Sequence, residues 1–579
     1  MDILATTKKR YNLALENQRD KFQKFNEFDF IYHSKLKDFD PNIPSKVFNP
    51  IAWSFIETIV TRMLAKNPVI VYQPREDSDR AKSELASELF SYWYSKTNQY
   101  PTIVSWVKDA LIYGTGILKV DWFTSPTRMV KSYQTDENGE AAVDEQGNFI
   151  INEEPVIDFD DPRTMNVNLY DFFIDPSATS IDDAKWVIHQ YYASIKDLEA
   201  ENKAAEQHGK VIYNKSALRR LKAGTPKPNE FEAERKKSAG FNSQPNDETV
   251  DRIKIWEMWE NGRCVFIADE SEIIRDETNY FWHGKKPFIR IVDSIVPHEF
   301  FGKGEIEPIE KLVHALNTTQ NQRITNVNRV LSPMWKARDS VDDDELQFID
   351  NGIVHVSDKD DANIIAIPDI TSKANEEQGQ LTDTMQRALG VTDYVQGIQT
   401  PGQTAKEVEI KTSQANARFA HKIKLFEEMG LKELGEFVQK LYQQFITKSK
   451  IIRITNNPED ILIEVKPEDL VGEFDVMPES ESTLETDQQA EFTKFLNLFN
   501  LLQPYTKQQS IDPNTGQTVE TGLIDLKELI KELIIRSGEK SSDKFFGSTE
   551  SQNEQTGQVP QPIPGQVPQP AEAVPGILG

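Results

Sequence analysis

The sequence holds a single cysteine, Cys264, in 579 residues. That excludes an intrachain disulfide and a cysteine-clustered metal site. A lone thiol inside the strand-like run Arg263 to Ala268 reads as a small buried hydrophobe. Long apolar runs are lacking too. The richest, Leu523 to Ile535, is broken by charges and falls short of the roughly 20 apolar residues that span a bilayer. The N-terminus, MDILATTKKRYNLALENQRDKF, spreads charges through a helical pattern and has no short apolar core of a secretory signal. Synthesis and residence in a reducing cytoplasm are therefore expected.

Positive charge is scarce: 66 Lys and Arg face 93 Asp and Glu, a formal net charge of -27. Proteins that grip nucleic acid do so with a basic surface, so this balance argues against tight DNA binding. It does not argue against DNA sliding past a wall of like charge. Catalytic signatures are missing as well. Gly114-Thr115-Gly116 lacks the spacing of a phosphate-binding loop, and Gly302-Lys303-Gly304-Glu305 has no Ser or Thr after its lysine. Both read as tight turns at element boundaries. The eight histidines are scattered, with no HExxH and no Gly-x-Ser-x-Gly elbow. Acidic runs at Asp158 to Asp161 and Asp342 to Glu345 offer the oxygens a hard cation wants, but adjacent carboxylates fit solvated surface better.

What is present is a folded chain, 38% hydrophobic and 27% charged, long enough for about three or four domains. Helices are expected at Phe48 to Lys66, Arg80 to Lys96 and Pro101 to Tyr113, with a strand at Val69 to Tyr72 and another at Ile117 to Phe123. A turn-rich acidic excursion after Phe123 reads as a surface hairpin. Residues 203–249 read as a mobile polar insertion with short helices. Asn261-Gly262, between Ile253 to Glu260 and Arg263 to Ala268, is the strongest hairpin signal. Beyond Pro297 long helices take over. In Glu305 to Leu331 the apolar positions Ile306, Ile309, Val313, Leu316, Ile324, Val327 and Val330 form a narrow stripe interrupted by Thr, Gln and Asn. A small insert with strands at Gly352 to Val356 and Ile364 to Ile367 follows, then a helix at Asn375 to Leu389 and a Gly, Thr and Gln-rich loop, Val391 to Gln403. A long helix from Thr404 to Lys448 bends near Gly430, strands return up to Val476, and two more helices are expected at Leu484 to Leu502 and Leu523 to Arg536. The end, with GQVPQP repeated, reads as a Pro-rich disordered tail.

Three stretches, Asp109 to Trp122 (DALIYGTGILKVDW), Leu169 to Ser194 (LYDFFIDPSATSIDDAKWVIHQYYAS) and Pro297 to Pro333, together with the order of elements from about residue 45 to 535, resemble the portal proteins of tailed bacteriophages. The short-tailed phage type is most similar. The resemblance implies an α+β portal fold. Residues 1–300 and the strands at 451–478 correspond to a wing, 301–331 and 373–390 to two stem helices, 332–372 to a clip, 391–403 to a tunnel loop, 404–450 to a long bent helix, 479–539 to a crown and 540–579 to a tail. It also implies a non-enzymatic subunit, without cofactor or metal, of a virion component at one capsid vertex. Expected partners are further copies in a ring of about 12, the major capsid protein, the terminase large subunit, head-tail adaptor or tail proteins, and double-stranded DNA in transit, with no membrane. Tyr394, Gln396, Gly397, Gln399, Thr400, Gly402 and Gln403 correspond to the DNA-facing loop, and Ile309, Val313, Leu316 and Ile324 to a stem surface covered by neighbouring subunits. Two other readings are a different head-tail connector ring and a metal-dependent nuclease built on Asp342 to Glu345.

Overall fold

The computed structural model describes residues 2–35, 45–125, 128–134, 149–207, 211–221, 230–241, 252–332, 334–339, 341, 346, 355–391, 418–447, 449–453, 462–478, 496–502, 508–511, 518–521 and 530. The chain divides into two compact units, Met1–Thr455 with Asp460–Glu485, and Asn456–Glu459 with Thr486–Gly579.

The first unit opens with helices. α1 (Ile3–Tyr32) starts where the Asp2 carboxylate accepts from the Leu4 N–H at 3.1 Å, and it buries Phe22, Phe25 and Phe28. After α2 (Ile51–Met63) come β1 (Ile70–Pro74), α3 (Arg80–Lys96) and α4 (Tyr100–Tyr113). Pro101 lies in the first turn of α4, where a missing N–H costs nothing. Gly114 ends the helix at φ 90°, which glycine adopts without a Cβ clash.

The chain then turns to strands, β2 (Thr115–Thr124), β3 (Arg128–Tyr133), β4 (Ile151–Val156), β5 (Asp160–Val167), β6 (Phe172–Ile174) and β7 (Trp186–Ser194). β3 and β4 pair with each other at the excursion after Phe123. The described parts of 203–249 carry the short helices expected there. Short helices α5 (Ile195–Gln207), α6 (Lys215–Leu218) and α7 (Glu230–Ser238) form there, and Phe231 of α7 packs on Phe22 of α1 with ring centroids 5.5 Å apart. β8 (Arg252–Glu260) and β9 (Arg263–Ala268) form the hairpin expected at Asn261-Gly262, with Glu260 paired to Arg263. β10 (Glu272–Thr278) completes a five-stranded antiparallel sheet in the order β10-β9-β8-β7-β6, and β11 (Phe288–Val292) completes a second sheet, β11-β2-β5. A buried ion pair joins the two sheets: Lys119 Nζ of β2 donates to Glu257 Oε2 of β8 at 2.6 Å, and Trp259 Nε1 donates to Oε1 at 2.8 Å. Burial works against the Glu257 charge, but Lys119 and His189 outweigh it and hold the carboxyl well below the usual range.

α8 (Glu310–Leu331) and α9 (Thr371–Leu389) then pack side by side, joined at one end by the two-stranded ribbon β12 (Trp335–Ala337) and β13 (Ala362–Ile364). α10 (418–426) passes through a widened π-turn, Glu427–Leu431, into α11 (Lys432–Phe445). Gly430, near which a bend was expected, lies in this π-turn. β14 (Lys450–Arg453) pairs with β15 (Leu462–Val465), and β16 (Phe474–Pro478) returns to β1 with Ile70 opposite Pro478. In the second unit the described residues are α12 (496–502), the hairpin of β17 (Gln508–Ile511) with β18 (Thr518–Thr521), and Ile530.

Candidate functional site

The helix pair α8 and α9 is rooted in the rest of the unit at a contact between glycines. A Cβ on Gly302 would stand 2.4 Å from the Gly114 oxygen, and one on Gly304 would stand 2.6 Å from the Leu111 oxygen. The end of α4 and the approach to α8 therefore touch backbone to backbone. Gly302 N donates to Thr115 Oγ1 at 2.9 Å and Glu305 N to the Leu111 oxygen at 2.7 Å. The two glycine pairs, which lack nucleotide-loop spacing, meet each other here.

α8 begins at Glu310, five residues later than its stripe suggests, and its inner face is already covered within the chain. Ile309, Val313 and Leu316 are 1%, 0% and 2% exposed. This corrects the expectation that neighbouring subunits cover them: side chains packed against their own core leave no surface for a neighbour. Ile324 is half-buried. The polar interruptions of the stripe also have partners. Asn321 Oδ1 accepts from Val47 N at 2.8 Å while its Nδ2 donates to Val47 O at 2.7 Å, and Asn317 Oδ1 accepts from Asn49 N at 2.7 Å. Two buried amides thus bind the extended segment 45–49 as a neighbouring strand would.

At the far end of the pair, Asn326 Nδ2 donates to Pro368 O at 3.1 Å and Oδ1 accepts from Ile370 N at 3.3 Å. The ribbon is displaced from the expected strands. Trp335 pairs with Ile364, and of Gly352 to Val356 the described residues, 355 and 356, are not in a strand. Apolar side chains gather here in the open: Leu331 is 74% and Met334 61% exposed, with Val330, Ile364, Ile365 and Ile370 also exposed. Exposed apolar residues in a cluster are the usual composition of a contact surface, and the stripe of α8 did not reveal this patch.

At the root, Lys422 of α10 lies between two carboxylates, 2.5 Å from Asp293 Oδ1 and 2.5 Å from Glu305 Oε1. Burial pushes the Asp293 carboxyl well up from its ordinary value, against the pull of Lys422. Burial disfavours the Lys422 charge, yet the two carboxylates outweigh it and raise the lysine above its usual range.

The acidic run at 158–161 is engaged piecemeal. Asp158 pairs with Arg128, Asp160 accepts from Trp122 Nε1 at 3.0 Å, and Asp161 binds Lys450, Lys96 and the Tyr442 hydroxyl. Among the described residues no group of three His, Cys, Asp or Glu side chains is placed to hold a metal ion, and no helix is long and apolar enough to cross a membrane. Asp342 to Glu345 lie outside the described residues, as do Tyr394, Gln396, Gly397, Gln399, Thr400, Gly402 and Gln403; Val391, at the start of that loop, is buried.

An α+β body bearing a pair of helices closed by a small β ribbon is the portal fold. Residues 43–574 match the sequence model of the Phage SU10 portal protein family, and the chain belongs to that family. Portal proteins are structural subunits of tailed phages. No curated protein matches the chain.

Proposed function

We propose that the chain assembles into a ring of about 12 copies at one vertex of the phage head and forms the channel through which the genome is packaged and ejected. In this reading the terminase large subunit docks on the ring during packaging, the major capsid protein surrounds it, and adaptor or tail proteins attach to it afterwards. The match to a portal family over residues 43–574 carries the reading. The deficit of positive charge supports it, because a channel of net negative charge does not hold a sliding polyanion. Residues 391–403 are the proposed tunnel loop. They contain no Lys or Arg, so Tyr394, Gln396, Gln399 and Gln403 touch the DNA backbone weakly, and Gly397 and Gly402 let the loop change shape.

Negative-stain imaging of the purified full-length protein tests the ring directly: closed rings with a central hole are expected, and particles of single-subunit mass would end the proposal. Deleting residues 396–401 tests the loop. Rings are expected to assemble yet fail to package or retain the last part of the genome, and normal retention of full-length DNA would remove the loop assignment.

A further inference from the structure

α10 has two working faces. Phe419, Ile423 and Phe426 are buried in the core. Arg418 and Lys422 stand one turn apart and so share a side of the helix, and each holds a different member of the helix pair. Arg418 Nη1 donates to the carbonyl oxygens of Arg387 at 3.2 Å and Ala388 at 3.3 Å. These belong to the last turn of α9, whose carbonyls lack helical partners and carry the negative end of the helix dipole. A Cβ on Gly390 would stand 2.9 Å from Arg418 Cδ, so the glycine that ends α9 also makes room for the arginine. Lys422, through Glu305, holds the segment that leads into α8, and through Asp293 it holds the segment that follows β11.

Beside the glycine contacts with α4, the helix pair is thus held at its root by two polar contacts that come from one turn of one helix. On its other side α10 runs into the π-turn, where Gly430 is wedged against the core: a Cβ there would stand 2.7 Å from Ile291 Cγ2 and 2.9 Å from the Trp106 ring. Ile291 lies two residues before Asp293. The same stretch of chain thus packs against α10 at the π-turn and pairs with it at Lys422.

We infer that α10 is the coupling element of the helix pair: Arg418 and Lys422 form a two-point clamp that makes α8 and α9 move as one with α10. Two independent contacts would each steady the helix they touch, and the other helix only through the α8–α9 packing. A clamp makes the effects reciprocal, because loosening either point frees α10 and so weakens the other.

Hydrogen exchange on the full-length protein separates these cases, using two variants. Arg418→Gln alters an exposed side chain and leaves the core intact. Lys422→Met, combined with Asp293→Asn and Glu305→Gln, removes the ammonium without stranding a buried carboxylate. The clamp requires Arg418→Gln to speed exchange about tenfold in residues 310–317 of α8, which Arg418 does not touch, as well as in 386–389 of α9. The triple variant is expected to speed exchange in 386–389 in return, with β8 and β9 unchanged in both. Exchange confined to the helix each variant touches, a uniform rise that includes β8 and β9, or no change in either helix would each overturn the inference.

Discussion

The side-chain amide of Asn321 holds both backbone polar groups of Val47, accepting from its N–H at 2.8 Å and donating to its oxygen at 2.7 Å. Asn321 is fully buried, so water cannot replace it there. Asn321→Ala leaves an N–H and a C=O without their partner. Unfolding by urea should show a loss of about 2–4 kcal/mol, with exchange rising first in residues 45–49. A loss within experimental error would mean that segment 45–49 is held by other contacts.

Two glycine substitutions should have opposite signs. Gly302→Ala drives a methyl into the Gly114 carbonyl, which as backbone cannot step aside, and soluble folded protein should be lost. Gly379 lies in α9 with nothing within 4 Å of its Cβ position. Gly379→Ala should raise stability by about 0.5–1 kcal/mol, as expected for an exposed helix interior. Thermal melting of the two variants beside the parent checks both.

Asp29 supplies a pH dependence. Burial pushes its carboxyl up to about 7 from an ordinary 3.8, while the Tyr113 and Tyr170 hydroxyls, at 2.6 and 3.0 Å, pull it partly back. Between these values the native state holds a proton that the unfolded chain has released. Its contribution is therefore greatest at low pH and is lost as pH rises from about 4 to 7. Asn accepts and donates at the same two positions without titrating. The stability of Asp29→Asn relative to the parent should rise by roughly 2–3 kcal/mol between pH 5 and pH 8. A constant difference across that range would contradict the assignment.

Assembly should respond to the far end of the helix pair rather than to its root. Val313→Asp places a charge in the chain's own core and should prevent folding. Leu331→Asp with Met334→Asp changes exposed side chains, so the subunit should fold, melt close to the parent and fail to close rings when weighed by native mass spectrometry. Intact rings from the double variant would place the subunit contact elsewhere.

Much of the architecture was legible in the sequence where the signal was local. Asn261-Gly262 between two apolar runs specified the β8–β9 hairpin, Gly114 marked the end of α4, and Cys264 is buried in β9 as its neighbours suggested. The α+β portal resemblance agrees with the family match. What periodicity cannot encode is a partner far along the chain. Asn317 and Asn321 looked like flaws in an apolar stripe because the strand-like segment they bind lies near residue 47. The same stripe suggested a surface for neighbours when its partner was the chain's own core. Lys422 gave no signal, since its two carboxylates come from separate elements. The proposed DNA-facing residues between 394 and 403 and the Pro-rich tail lie outside the described residues.

The pairing of β1 with β16 bears on how the protein is made. Tyr72 donates its hydroxyl to the Gly435 oxygen at 2.8 Å, and Ile70 lies opposite Pro478, so the first strand, though it packs on α3 nearby, finds its strand partner only near the far end of the unit. During synthesis β1 leaves the ribosome while most of the chain is still untranslated, and its hydrogen-bonding edge waits for a partner. The entropy of closing so long a loop grows only slowly with length, so the delay acts on the rate of folding more than on final stability. Ribosome-bound chains halted within the helix pair would expose both that open edge and the apolar ribbon end, a combination that favours aggregation among neighbours on one messenger RNA. Completion of β16 removes one of these two hazards, and ring closure, as proposed, the other.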